Sequence, residues 1–536
     1  MSLIEETEAP RRASAADFVW PIALAAIVYL VTAIPYWQAE RHAPEGARFI
    51  GQVAQGERIN AYFSFIRQAA KGHYLFVNSM TYLDQEPGYF NVEFLVLGRL
   101  MRWFGWNTRI AFEVWRFLGA LFLLSGFAFL AHVALRDTVQ RRIAVLMCAF
   151  GGGLGTYAAS IHPFGQMLED PHVALTHGLW IALMACMVLG ERDGRTQWYV
   201  AAACLVLVQG LCGPQNLIAL AVVAVLFIGF ESLVTKRFDW RRNMLRVLPA
   251  LVSALLIAYY MRLSAFGPVA FFLSALGRGI PGLHWYLLSL GLAGVLFAMR
   301  IALIRLLPPA SSVERLLFAW AVVPSCLTEF AQNAPSVAPM IVLGVALLRF
   351  PKGKWLGVKS PALLALVAVF LLANSCASVF VLKWVTADAI AKQSNYVTKA
   401  ELLAFAWLNQ NTKPHEVIAA PLPMSNLMGQ FVDARTVAGH GALSPDAGRL
   451  SAQLDMFFRG EMSAKDAQSF LADHQIRFLF TEVGDGSMGP EYFETFPGVR
   501  VSNDDGGVTL YSVEPVLGNE ITHPPHVTLA RAGSRD

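Results

Sequence analysis

A series of long apolar runs constrains this chain more than any other feature, because such runs are accommodated in a lipid bilayer. About eleven of them approach the roughly 20 residues that a helix needs to cross a membrane. They cover residues 18–36, 109–135, 143–160, 172–190, 197–212, 215–235, 246–263, 283–306, 315–331, 336–349 and 361–384. Only 15% of the 536 residues are charged, compared with about 25% in soluble proteins. The sequence predicts a mostly α-helical, polytopic membrane protein with about eleven transmembrane helices.

Lysine and arginine residues are distributed unevenly among the loops between these runs. Seventeen lie in one alternating set of loops, whereas the other short loops contain only Arg278. Because basic loops stay in the cytoplasm, we predict a cytoplasmic amino terminus and an extracytoplasmic carboxyl terminus. The net charge of +4 is small and spread over several loops, which argues against a nucleic-acid partner.

Two polar segments are predicted to lie outside the bilayer, and they divide the chain into domains. The first loop covers 38–108 within a transmembrane domain of residues 1–385, and an α/β domain of residues 386–515 follows, with a disordered tail over 516–536. In the α/β domain, the pattern predicts helices over 399–411, 445–458 and 463–474. It predicts strands over 416–420, 476–481 and 507–512.

An amphipathic helix is predicted in the first loop, in the stretch GERINAYFSFIRQAAKGHYLFVN (56–78). Ile59, Tyr62, Phe63 and Ile66 share its apolar face, and Glu57 stands at its start. A carboxylate at this position is stabilised by the helix dipole, and it is also a candidate general base. Both interpretations remain open at this stage.

The order of features in this loop resembles the C-type (GT-C) membrane glycosyltransferases. In that superfamily, which includes the protein O-mannosyltransferases and the aminoarabinose transferases, a span leads to an acidic residue, an interfacial helix and a Gly-aromatic turn. A Pro with an aromatic residue and a second interfacial helix follow, as in QEPGYFNVEFLVLGRLMRWFG here. Weaker likeness continues in CAFGGGLGTY, EDPHVAL and ELLAFAWLNQNTKPHEVIAAP. The chain looks like a bacterial branch of this superfamily, and the resemblance implies a location in the bacterial cytoplasmic (inner) membrane.

The resemblance implies transfer of a sugar from a polyprenyl-phosphate carrier, embedded in membrane lipid, to an extracytoplasmic acceptor. Glu57 would be the catalytic base and Glu86 its acidic neighbour. The chain departs from the family at Arg58, where active members often carry a second acidic residue, and Arg58 is a competing ion-pair partner for Glu57. The alternative is therefore a catalytically inactive scaffold or accessory subunit that binds a protein partner through the C-terminal domain.

Further candidates line the predicted outer surface. Arg262 and Arg278 are candidates for binding the carrier phosphate, and His172, Glu93 and Asn216 for lining the substrate site. A divalent cation is a weaker expectation for the polar loop IHPFGQMLEDPH, which contains His162, Glu169, Asp170 and His172. No cofactor is certain. Arg116, inside an apolar run, is expected either to pair with Glu113 or to line the cavity.

Overall fold

The computed structural model describes residues 15–54, 56–135, 137–150, 163–213, 217–263, 283–326, 337–347, 378–482 and 487–514. The first part of the chain is helical. Its helices are α1 (Ala15–Thr32), α2 (Ile34–Arg41), α3 (Gly56–Lys71), α4 (Val92–Phe104), α5 (Thr108–Ala134), α6 (Thr138–Phe150), α7 (Pro163–Glu169), α8 (Pro171–Asp193), α9 (Thr196–Cys212), α10 (Leu217–Thr235), α11 (Trp240–Leu263), α12 (Leu283–Ala302), α13 (Ser312–Cys326), α14 (Val337–Ala346) and α15 (378–391).

Five helices among the described residues are long and apolar enough to cross a membrane, which makes the chain a multi-pass membrane protein. They are Val19–Arg41, which runs through α1 and α2, and helices α5, α8, α10 and α11. Helices α9, α12 and α14 contain shorter apolar stretches. The larger number of about eleven spans remains a prediction.

Polar residues begin several of these helices where the sequence leaves the apolar pattern. Asn107 caps α5 by accepting a hydrogen bond from the amide of Ile110 at 2.9 Å. Asp170 caps α8 by accepting one from the amide of Val173 at 3.1 Å. Such caps satisfy amide groups that have no partner inside the helix. They fix where α5 and α8 start, which is the end of the bundle that carries the candidate site.

Helices α5 and α8 pack closely through glycine residues. A Cβ atom added to Gly178 on α8 would lie 2.5 Å from the carbonyl oxygen of Phe122 and 2.6 Å from the amide nitrogen of Leu123, both on α5. A Cβ atom on Gly119 would lie 2.9 Å from the carbonyl oxygen of Pro171. Small residues of this kind allow helix backbones in membranes to approach each other.

A buried ion-pair network joins the helices at the end of the bundle opposite the C-terminal domain. Glu191 on α8 accepts hydrogen bonds from Arg246 on α11 at 2.6 and 2.7 Å and from Tyr199 on α9 at 3.0 Å. Glu231 on α10 accepts two from Arg315 on α13 at 2.5 and 2.9 Å. The two arginines of this network, Arg246 and Arg315, therefore lie away from the C-terminal domain. Their assignment to the cytoplasm remains a prediction.

The C-terminal region is an α/β domain around a five-stranded sheet. Its strands are β3 (Val417–Ala419), β4 (Arg435–Thr436), β5 (Ile476–Glu482), β6 (Val499–Asp504) and β7 (Val508–Val513). They have the order β4-β3-β5-β7-β6, with β3 parallel to β4 and β5, and β7 antiparallel to β5 and β6. The helices are α16 (Lys399–Asn411), α17 (Leu422–Phe431), α18 (Ala447–Phe458), α19 (Ala464–Asp473) and α20 (Pro490–Phe493).

Alternating side chains of the strands separate two apolar cores, one on each face of the sheet. Val417 and Ala419 pack with the residues of α18 and α19, whereas Ile418 and Ala420 pack with those of α16 and α17. The predicted helix over 399–411 is confirmed, and the other predicted helices and strands differ from the observed ones by one or two residues at their ends. The domain boundaries themselves stay predictions.

The C-terminal domain is docked on the first loop by backbone pairing. Strand β1 (Ala47–Phe49) pairs antiparallel with β2 (Tyr396–Thr398), and Thr81 forms a bridge with Ala438. At the end of α3, Arg67 donates to Asp433 at 2.9 Å, and Lys71 pairs with the same carboxylate. Burial alone would raise the pKa of Asp433, but these two cations hold it below its usual value.

Candidate active site

Helix α3 places Glu57 at the junction between the bundle and the C-terminal domain. The four residues of the predicted apolar face, Ile59, Tyr62, Phe63 and Ile66, are buried, but so are the polar residues Asn60 and Ser64 between them. The helix ends before Gly72, whose φ of +114° favours glycine. Helix α3 is enclosed on all sides over these residues, and its contacts with both the bundle and the domain fix its rotation. Glu57 in the first turn is directed toward the domain.

The Glu57 carboxylate is held on one side by the C-terminal domain. Its Oε1 accepts a hydrogen bond from the backbone amide of Gly441 at 2.8 Å, and the Nδ1 atom of His440 lies 3.8 Å away. The side chain is 52% exposed. Within the described ranges, the second oxygen, Oε2, has no hydrogen-bond partner. The group is therefore anchored and still open to solvent, as a base that accepts a substrate proton must be.

A row of buried amides supports the start of α3. Asn426 on α17 donates to the carbonyl oxygen of Glu57 at 3.0 Å and accepts from Asn60 at 2.9 Å. Gln52 donates to Asn60 at 2.9 Å and to Gln430 on α17 at 3.0 Å. All four amide side chains are buried. Since unpaired polar groups are costly in such surroundings, these contacts fix the relative position of the two helices.

Arg58 does not pair with Glu57 but with Asp170. Its Nη1 donates to Oδ2 of Asp170 at 2.8 Å, and the Asp170 side chain is only 6% exposed. Burial alone would lower the pKa of Arg58, but the Asp170 carboxylate raises it above its ordinary value, so the guanidinium stays charged. The expected competition of Arg58 for Glu57 is therefore replaced by an ion pair between α3 and the start of α8.

Glu93 and His172 lie together beneath this ion pair. His172 Nδ1 and Glu93 Oε2 are 2.6 Å apart, and Glu93 Oε1 accepts from Trp115 Nε1 at 2.5 Å. Their side chains are 4% and 3% exposed, and the His172 ring packs against Tyr62 at a centroid distance of 5.0 Å. The structure brings two predicted substrate-binding residues into contact, but as a buried pair that joins α4, α5 and α8.

A small cavity opens between the first loop and α15. It has a volume of about 100 Å³ and is lined mainly by apolar side chains together with two carboxylates, Glu169 and Asp388. Apolar lining residues include Val53, Val381 and Trp384. Asp388 also pairs with Lys392 at 2.6 Å. Glu57 is not among the lining residues.

The remaining predicted residues are scattered. Glu86 is exposed in the turn before α4, and Arg262 is exposed in the last turn of α11. Three further candidates, Arg278, Asn216 and His162, lie outside the described residues. Arg116 pairs with Glu113 at 2.8 Å and is buried, which confirms the first of its two expected roles.

No cluster of three or more His, Cys, Asp or Glu side chains suited to a metal ion occurs in the described part of the chain. Asp170 is committed to Arg58, and His172 to Glu93. These partners do not fit the expected cation site, so we derive no chemical step from a metal.

Sequence reasoning missed the groups that the C-terminal domain adds to the site. Asn426 and Gln430 are spaced i, i+4 and therefore share one face of α17. That spacing was a usable signal, because two amides on one face indicate a polar contact surface. The amide of Gly441 carries no such signal, since every residue other than proline has a backbone donor.

Comparisons with solved structures identify the fold. The chain resembles the archaeal oligosaccharyltransferase AglB from Archaeoglobus fulgidus, which was solved with an inhibitory peptide and a dolichol-phosphate. The TM-score is 0.55 and the sequence identity 12%, and the match covers 95% of this chain and 76% of that chain. It also resembles ArnT from Cupriavidus metallidurans bound to undecaprenyl phosphate, with a TM-score of 0.53, 15% identity, and coverage of 94% and 100%.

A third similar structure is the arabinofuranosyltransferase AftD from Mycobacteria, with a TM-score of 0.58 and 15% identity. The match covers 94% of this chain and 42% of that one. No protein-family model and no curated protein matches the sequence. The chain therefore has the fold of the GT-C glycosyltransferases, as the first loop predicts. Its closer relationship to mannosyl- or aminoarabinose transferases remains a prediction.

Proposed function

We propose that this protein is a membrane glycosyltransferase that moves a sugar from a polyprenyl-phosphate carrier to an acceptor on the extracytoplasmic side. The observation that carries the proposal is the position of Glu57, anchored through one oxygen at the junction of bundle and domain. The fold supports it, because structures with this fold were solved with undecaprenyl phosphate and with dolichol-phosphate.

Glu57 is the proposed base. Its Oε2 accepts the proton of an acceptor hydroxyl group. The hydroxyl oxygen attacks the sugar carbon, and the carrier phosphate leaves. Glu86, the acidic residue proposed to assist it, lies in the same loop. The exposed guanidinium of Arg262, at the end of α11, is our proposed contact for the phosphate, and Arg278 is a second.

The pairing of Arg58 with Asp170 favours this function over the inactive scaffold. The scaffold hypothesis drew on the replacement of an acidic residue by Arg58 and on the shortage of basic residues in the outer loops. The first of these arguments is weakened, because the Arg58 guanidinium is directed to Asp170. Glu57 thus keeps an oxygen available for chemistry. The cavity lined by Glu169 adds a mainly apolar space of about 100 Å³, which suits part of a lipid chain.

The test uses purified protein in lipid nanodiscs with a pool of labelled polyprenyl-phosphate sugars. We expect release or transfer of the label by the wild-type protein, and a loss of at least about 10²-fold in the Glu57→Gln variant, since general-base catalysis contributes roughly 10²–10⁴-fold. Glu45→Gln is the control, because Glu45 is an exposed carboxylate of the same loop with no proposed role.

Equal activity of Glu57→Gln and Glu45→Gln would refute the assignment of the base. No release of label by the wild-type protein, together with a stoichiometric protein partner after purification, would support the scaffold instead. Bound polyprenyl lipid in the purified protein would favour the enzyme.

A further inference from the structure

We infer that the C-terminal domain supplies positioning groups for Glu57: the backbone amide of Gly441 holds its carboxylate, and the amide side chain of Asn426 holds its backbone carbonyl group, so that the carboxylate is placed for catalysis. The inference rests on the proposed role of Glu57 as the base. It gives the α/β domain a part in the chemistry, in addition to any part in acceptor binding.

The Glu57 carboxylate is held by one hydrogen-bond donor. A glutamate has three rotatable side-chain bonds, and a half-exposed one samples many rotamers unless something binds it. Here the amide of Gly441 donates to Oε1 at 2.8 Å. That bond leaves Oε2 as the oxygen that faces an incoming hydroxyl. One donor from the domain therefore decides which oxygen acts and where it lies.

The backbone from which Glu57 extends is held by Asn426. The Nδ2 group of Asn426 donates both to the carbonyl oxygen of Glu57 at 3.0 Å and to that of Gly439 at 2.8 Å. Asn426 is 6% exposed. The same amide thus connects the first turn of α3 to the loop that carries Gly441. A shift of one is transmitted to the other.

The loop that carries Gly441, residues 439–444, is held by hydrogen bonds of its own. Ser444 Oγ accepts from the amides of Gly439 and His440, both at 3.1 Å, and donates to the carbonyl oxygen of Met80 at 2.5 Å. The Nδ1 atom of His440 accepts from the amide of Ala442 at 3.0 Å. These bonds fix the direction of the Gly441 amide, so it is a preorganised donor.

The contact can be tested without any assay of activity. In hydrogen–deuterium exchange of the whole protein in nanodiscs, we expect faster exchange of the 439–444 loop in Glu57→Ala, because the acceptor of the Gly441 amide is lost. Glu57→Gln should keep slow exchange, since its amide oxygen still accepts. Unchanged exchange in Glu57→Ala would overturn the inference. Because Glu57 is half-exposed, both variants should fold.

The catalytic consequence is tested with Asn426→Leu, which has a similar size and no hydrogen-bonding groups. A displacement of about 1 Å at a reacting group costs about 10²-fold, so we expect kcat to fall by that factor with KM nearly unchanged. Asp433→Asn is the matched control. It weakens the docking of the same domain at the opposite end of α3, through Arg67 and Lys71, and should keep kcat.

The outcomes separate the two proposals. Wild-type transfer that persists unchanged in Asn426→Leu would refute positioning and leave the proposed function standing, as would an equal fall of kcat in Asp433→Asn. A rise of kcat in Asn426→Leu would show that the loop blocks the site. Failure of transfer in the wild-type protein would refute the proposed function, while the exchange experiment still decides whether the domain holds Glu57.

Discussion

Replacing Gly178 with alanine tests whether helices α5 and α8 need their close approach. The added methyl group would lie 2.5 Å from the carbonyl oxygen of Phe122 and 2.6 Å from the amide nitrogen of Leu123. Favourable contacts between such atoms lie at about 3.5–4.0 Å, and both neighbours are backbone atoms that cannot rotate away. The helices must therefore separate by about 1 Å.

Two opposing effects set the size of the loss. Overpacking of this kind costs about 1–3 kcal/mol, and a 0.5–1 Å gap also weakens each neighbouring van der Waals contact by about a quarter to a half. Alanine regains about 1 kcal/mol of helix propensity relative to glycine. We expect a net destabilisation of about 1–2 kcal/mol for Gly178→Ala. The matched control is Gly229→Ala on α10, where an added Cβ has no atom within 4 Å.

Unfolding of both variants is measured in mixed micelles, with tryptophan fluorescence as the signal. Gly178→Ala should unfold at a lower denaturant concentration and temperature than the wild-type protein, whereas Gly229→Ala should match or exceed it. Equal stability of the two variants would refute the argument, because it would mean that α5 and α8 are free to move apart.

Three further results are expected. Glu191→Gln should destabilise the bundle by about 3–5 kcal/mol, since it leaves the buried guanidinium of Arg246 without its carboxylate. Asp193→Asn at the same helix end should change the unfolding midpoint little. Burial lowers the pKa of His474, so the native state binds fewer protons than the unfolded chain. Stability should therefore fall as the pH drops below about 6.5. An unfolding midpoint that stays constant between pH 7 and 5, or the same decline in His474→Gln, would contradict this. Glu93→Gln should lower the free energy of unfolding by about 1–3 kcal/mol, because its contact with His172 is buried. An unchanged KM would show that the pair only supports packing.

Local patterns in the sequence predicted much of the helical structure and part of the sheet. The run over 109–135 is α5, and the capping pattern of Thr398 and Glu401 begins the helix over 399–411. Helix α17 was missed, because it starts beside two prolines and its composition favours no single period. Strand β4 was missed because two residues, Arg435 and Thr436, are too few for a pattern.

The candidate site was only half predictable, for a physical reason. Glu57 could be selected because helix periodicity and its position at the helix start are local properties. Its partner Gly441 is 384 residues away, and the contact exists only after the domain has docked. The same holds for Glu93 and His172, which were chosen separately and meet across 79 residues. Distances of this kind follow from the tertiary fold.

The pairing of β1 with β2 has a consequence for biogenesis. Ala47 emerges from the ribosome about 350 residues before its partner Thr398, which corresponds to roughly 20–70 s at synthesis rates of about 5–20 residues per second. During that interval the short strand has an open edge, and α3 lacks the amides that later secure it. Completion of the polypeptide is thus the event that assembles the junction, and a nascent chain arrested before Tyr396 cannot form it.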